Sequence, residues 1–185
     1  MRTGIFDLET SGFYADNAIV LCAVIQEYGK TQTTIIRADQ ERTWSKHRSD
    51  DSLVVKKIME ELNKYDILVA HNGQRFDKGF MNAKCIQYDM PVSLRLKKFV
   101  DPVKLARFHL KLGRNSLAAI IDWLEIPVHK TPLELRLWLK ASLEGDRKCM
   151  DTIVKHCVHD VKSLAIVYNR MRPLIDRIDN RGSAS

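Results

Sequence analysis

An apolar run near the start of the chain ends in Phe6-Asp7-Leu8-Glu9-Thr10, where two side chains can do chemistry together. Successive residues of a strand face opposite sides, so Asp7 and Glu9 emerge on one face, roughly 7 Å apart, with Phe6 and Leu8 on the other. Paired carboxylates suit hard divalent cations such as Mg²⁺ or Mn²⁺, and two such ions can activate a water and stabilise a leaving oxygen in phosphodiester cleavage. Alone, Asp-x-Glu reads as a solvated acidic strand end. The chemistry needs further acids.

Two more stand downstream. Residues 67–77 read Ile-Leu-Val-Ala-His-Asn-Gly-Gln-Arg-Phe-Asp, a short buried-strand signal over Ile67 to Ala70, a polar turn containing glycine, and then Asp77. Residues 156–161 read His-Cys-Val-His-Asp-Val. They fall in a stretch from Arg147 to Met171 whose apolar positions Met150, Ile153, Val154, Cys157, Val161, Leu164, Tyr168 and Met171 recur at helical spacing. His156 and Asp160, four apart, share a helix face. His159 points about 100° away around that helix and reads as a bystander.

In that order, Phe-Asp-Leu-Glu-Thr, His-Asn-Gly-x-x-Phe-Asp and x-Cys-x-x-Asp-Val resemble the three motifs of the DEDD 3′–5′ exonucleases. These are ribonuclease H-like proteins that include polymerase proofreading domains. The nearest flavour is the exonuclease domain of phage-type family A DNA polymerases or a stand-alone relative, and the resemblance covers about residues 1–172. It implies a single exonuclease domain over 1–175; the remaining 176–185 read from the sequence as a disordered tail. It also implies two divalent ions, Mg²⁺ or Mn²⁺, held by Asp7, Glu9, Asp77 and Asp160. Asp7 would bridge both ions, Glu9 and Asp160 would hold the one that binds the attacking water, and Asp77 would act on the second through water. Leu8 and Thr10 would flank the terminal nucleotide, and Asn72 would reach its sugar or base. The implied activity is release of nucleoside 5′-monophosphates from the 3′ ends of single-stranded or frayed DNA, with RNA as an alternative and a polymerase or helicase as a conceivable partner. A catalytically silent nucleic-acid-binding module and a structure-specific endonuclease on the same fold are the competing readings.

One position departs from the family. The tyrosine branch has Tyr four residues before the last Asp and the histidine branch has His five before it, whereas this chain has His156 at the tyrosine spacing and Lys155 at the other. His156 is therefore assigned the tyrosine's task of orienting or deprotonating the water, for which an unperturbed pKa of about 6.5 suits better than a phenol's of about 10. Other residues have plainer roles available: Leu8 as core, Thr10 as a turn residue, Asn72 as a left-handed turn residue, Phe76 as a core anchor, and Asp101 as a helix cap. Trp123 and Trp138 fall in amphipathic segments and are expected in the core.

Composition agrees. With 185 residues, 45% of them hydrophobic, the chain can bury one sizeable core. A net charge of +7 and a pI near 9.3 fit a polyanionic partner. Basic residues cluster at Arg42, Lys46 and Arg48, at Arg95, Lys97 and Lys98, and at Lys104, Arg107, Lys111 and Arg114. No apolar run reaches the ~18 residues of a membrane span and no signal-peptide pattern opens the chain, which places the expected protein in the cytoplasm without a membrane partner. Cys22, Cys85, Cys149 and Cys157 stand singly in apolar segments, as buried free thiols do. A zinc site from Cys149, His156, Cys157 and His159 is disfavoured, because two helical turns separate the first two.

The elements that must position these residues follow from periodicity. Arg2 to Glu9, Ala18 to Tyr28 and Thr31 to Ala38 read as an antiparallel meander, with Gly29-Lys30 as a tight turn. A helix after Asp50 and Asp51 then crosses over to a parallel strand at Ile67 to Ala70. Further helices are expected over 77–89, 102–111, 116–124, 132–144 and 147–171, with a fifth strand at Phe99-Val100. Strands first and helices later, with one βαβ crossover, describe an α/β fold: a ribonuclease H-like mixed five-stranded sheet flanked by helices.

Overall fold

The computed structural model describes residues 1–128 and 134–181. A five-stranded sheet runs in the order β3-β2-β1-β4-β5, built from β1 (Thr3–Thr10), β2 (Val20–Glu27), β3 (Thr33–Arg37), β4 (Ile67–Val69) and β5 (Lys98–Val100). The first three strands pair antiparallel, while β4 pairs parallel to β1 and β5 parallel to β4. Gly29 adopts φ 84°, which costs a glycine nothing, and Lys30 N–H closes the turn on the Glu27 carbonyl at 3.0 Å. That fixes the β2–β3 register.

Parallel neighbours need a crossover, and α1 (Ser52–Leu62) supplies it. Its Val54, Val55, Ile58, Met59 and Leu62 are buried at the helical period, and the helix packs on β2 and β3. Next come α2 (Asp77–Gln87), α3 (Pro102–His109), α4 (Leu117–Trp123), α5 (Arg136–Leu139) and the long α6 (Arg147–Arg181). Asp101 caps α3 by accepting from Val103 N–H at 3.0 Å, and Ser116 caps α4 by accepting from Ala119 N–H at 3.2 Å. Helix α6 lies across β1 and β2, and every residue of its expected apolar stripe is buried.

Several boundaries differ from the sequence reading. Helix α2 stops at Gln87 rather than 89, because Asp89 takes a left-handed φ of 52° ahead of Pro91. The helix expected over 132–144 begins in residues outside those described. Its described part is one α turn, Arg136–Leu139, continued by a π-helical turn over Lys140–Glu144. Gly145, at φ 71°, then reverses the chain into α6. The tail expected from 176 is helical as far as Arg181, with Pro173 inside the helix, and 182–185 lie outside the described residues. Trp123 is half exposed rather than core. All four cysteines are buried and free, as expected.

Candidate active site

Asp7 and Glu9 alternate with the buried Phe6 and Leu8 along β1, as the two-residue period requires. A register irregularity between Glu9 and Thr10 ends the regular ladder there, at the edge where a strand can aim side chains outward. Parallel to β1, β4 runs into the His71-Asn72-Gly73 turn. Asn72 adopts φ 61°, the left-handed turn conformation expected of it, and its N–H donates to Asp101 Oδ1 at 2.9 Å. The turn delivers Asp77 as the first residue of α2, where the helix dipole favours a negative charge. Asp77 is buried, and its Oδ1 has no hydrogen-bond partner among the described residues.

From α6, His156 Nε2 stands 3.6 Å from Asp160 Oδ2, both side chains being largely covered. Cys157, on the buried face of the same helix, brings its Sγ to 3.5 Å from both the backbone oxygen and Oδ2 of Asp7. One ligand atom each from Asp7, Glu9 and Cys157 lies within 4.8 Å of the others. On the other side, Trp138 Nε1–H of α5 donates to Glu9 Oε2 at 2.9 Å.

The electrostatics show how closely the acids crowd. Glu9 is pushed up from 4.5 to about 8, first by burial and then by the charge of Asp7. Asp160 and Asp77 add to the rise, and the Trp138 hydrogen bond opposes it. Asp77 is raised well above the ordinary carboxylate range, again by burial first and Asp7 second. Buried like charges with no cation among them are costly, and a divalent ion reverses the sign of every one of these interactions. The donor set is mainly carboxylate oxygen, which fits Mg²⁺ or Mn²⁺.

A cleft of about 250 Å³ opens beside Glu9, lined by Leu8, Thr10, Phe13, Phe76 and Trp138 among others. The edge-to-face pair Phe13 and Phe76, with ring centroids 6.5 Å apart, separates it from a second cleft of about 390 Å³ that Asn72 and Arg75 help to line. Leu8 is thus both core and cleft wall. Thr10 spends its hydroxyl on the Gly12 carbonyl at 2.6 Å, and Asn72 is exposed at the mouth of the second cleft.

The expected site residues therefore converge, apart from Asn72, which borders the neighbouring cleft. Three participants were not foreseen as such. Trp138 is not simply core, since it bonds a candidate metal ligand; a half-buried indole N–H needs an acceptor, which was the available signal. Cys157 was read as packing, apart from a disfavoured zinc site with Cys149, His156 and His159, and Phe13 was passed over. Some of the basic residues are occupied elsewhere: Lys97 donates to the Asn63 and Tyr65 carbonyls, and Arg48 to that of Leu143.

A family model described as the RNase_H superfamily matches residues 5–172. No curated protein is a match. Among solved structures, the family B DNA polymerase from the hyperthermophilic archaeon Pyrobaculum calidifontis superimposes with a TM-score of 0.73 at 14% identity. The likeness takes in 94% of this chain but only 25% of that polymerase chain, and at such identity it is a likeness of fold. No helix among the described residues is long and apolar enough to cross a membrane.

Proposed function

Because this chain belongs to the RNase_H superfamily, whose fold supports nuclease chemistry, we propose that it is a DEDD-type 3′–5′ exonuclease dependent on two divalent ions. It acts on single-stranded or frayed DNA ends, with RNA as the alternative polymer, and releases nucleoside 5′-monophosphates. The observation that carries the reading is the gathering of Asp7, Asp77 and Asp160 around Glu9, whose proton is held up to about 8 by burial first and by these neighbouring charges after it. Mg²⁺ or Mn²⁺ held by these four acids would neutralise charge on the scissile phosphate and the leaving oxygen.

The protein's own groups do the rest. Trp138 holds Glu9 in place, and the Cys157 thiol donates to Asp7. The cleft of about 250 Å³ beside Glu9 is walled by Leu8, Phe76 and Trp138, which suits the end of a strand rather than its middle. His156, beside Asp160, accepts a proton from the attacking water and holds it in line with the terminal phosphate. Arg75, with the exposed Phe13, offers a charge and a ring to the nucleotides upstream.

The test is a 5′-labelled single strand incubated with and without Mg²⁺. A metal-dependent ladder shortening from the 3′ end, abolished by Asp7→Ala, is expected. An internal cut would indicate an endonuclease, and no cleavage with Mg²⁺ or Mn²⁺ would leave a binding module.

A further inference from the structure

The acid cluster has a sulfur-lined back wall that the proposed nuclease chemistry does not require. Cys157 Sγ stands 3.5 Å from Asp7 Oδ2, and one ligand atom each from Asp7, Glu9 and Cys157 lies within 4.8 Å of the others. Cys22 lies directly opposite Glu9 in the β1–β2 ladder, so the two side chains share one face of the sheet. Cys22 is near enough to Cys157 to help push that thiol's pKa up, after burial. A hard ion such as Mg²⁺ has no use for these thiols, whereas a softer ion does.

The geometry supports such an ion. With Zn–S of about 2.3 Å and Zn–O of about 2.0 Å meeting at a tetrahedral angle, the two ligand atoms stand about 3.5 Å apart. That is the separation already present between Cys157 and Asp7. This set also differs from the one weighed in the sequence: its sulfurs come from a strand and a helix that pack face to face, rather than from two positions along one helix.

We propose that a thiophilic divalent ion of the Zn²⁺ class binds Asp7, Glu9 and Cys157, with Cys22 beside them as a further sulfur donor. The ion takes the place the catalytic ions need and thereby blocks cleavage. Binding replaces the thiol proton of Cys157, which passes to solvent, while the carboxylates bind as anions. The inhibitory consequence rests on the nuclease reading; the binding does not.

The test uses Cd²⁺ as an optical probe on the full chain, followed by the ultraviolet band of thiolate-to-cadmium charge transfer. Wild type should show the band saturating at one ion per chain. Cys157→Ser should lose most of it, because serine can still hydrogen-bond Asp7 but offers no sulfur; Cys157→Ser with Cys22→Ser should lose all of it, and Cys149→Ser should keep it. In the nuclease assay with Mg²⁺, Zn²⁺ should inhibit wild type at a concentration lower by on the order of tenfold or more than it inhibits Cys157→Ser, the loss of affinity seen even for weaker supporting contacts. No band in wild type, or an undiminished band in Cys157→Ser, would overturn the proposal. A normal band from a protein that cleaves nothing would sustain the site and remove the nuclease reading instead.

Discussion

Glu9→Gln should make the ion-free protein more stable at pH 8 and change it far less near pH 5. In the unfolded chain Glu9 loses its proton near 4.5, whereas in the folded protein burial and the charge of Asp7 hold that proton up to about 8. Below 4.5 Glu9 is protonated in both states and costs nothing. Between these values the unfolded chain binds fewer protons, so stability falls as pH rises, and above about 8 the full penalty is present. At about 1.4 kcal/mol for each pH unit traversed, the penalty is on the order of 3–5 kcal/mol, the range allowing for the acids it is shared with. For a chain of this size that is roughly 10 °C in Tm. Glutamine keeps an oxygen to accept the Trp138 N–H and carries no charge, so it removes the penalty while preserving the contact. Thermal melts in chelator from pH 5 to 9 should therefore show the variant rising above wild type as pH increases. A smaller downward slope remains in the variant, because the buried Asp77 is raised for the same reasons. Mn²⁺ at about 100 times its Kd should return about 2.7 kcal/mol to wild type and much less to the variant. A difference independent of pH, or a variant less stable than wild type at pH 8, would refute the reasoning.

Other consequences are as specific. His156→Phe should slow single-turnover digestion by about 10²-fold or more while leaving Mn²⁺-induced stabilisation in place, and an unchanged rate from pH 6 to 9 would remove His156 from the chemistry. Trp138→Phe keeps a ring in the cleft but deletes the donor to Glu9. It should therefore raise the Mn²⁺ concentration needed for half-maximal rate by about tenfold, whereas Trp138→Ala should in addition raise KM for the oligonucleotide. An unchanged Mn²⁺ requirement in Trp138→Phe would mean the indole N–H is idle, and equal effects from both variants would mean the ring is. On α2, Lys84→Met should cost about 3 kcal/mol in urea unfolding, because it strands the Asp51 carboxylate, buried with Lys84 Nζ at 3.4 Å. A loss below about 0.5 kcal/mol, the scatter of ordinary surface changes, would show that Val20 N–H and Tyr88 O–H, the carboxylate's other partners, satisfy it alone.

The acids were legible because their placement is local. Asp7 and Glu9 need only the period of one strand, Asp77 only a strand followed by a tight turn, and His156 and Asp160 only the rise of one helix. The surrounding groups were not, and the reason is register. Between β2 and β3 the Gly29 turn dictates which residues face one another, but the link from β1 to β2 spans Ser11 to Ile19 and contains no such turn. Whether Cys22 stood opposite Glu9 or a residue away on the other face could not be counted from the chain, since a shift by one turns a side chain to the opposite side of the sheet. Trp138 is harder still, 129 positions from the oxygen it bonds, on a segment whose helix passes from α into π geometry. Its neighbour in kind, Trp123, shows that amphipathic spacing did not decide the matter: the stripe Leu117, Ile120 and Ile121 is buried, and Trp123 is rotated off it into solvent. What periodicity gives is the face on which a side chain lies; which distant face it meets is decided by packing. The local placement of the four carboxylates could thus be read off the chain and the resemblance joined them into one proposed set, while the sulfur and indole beside two of them had to be found in the fold.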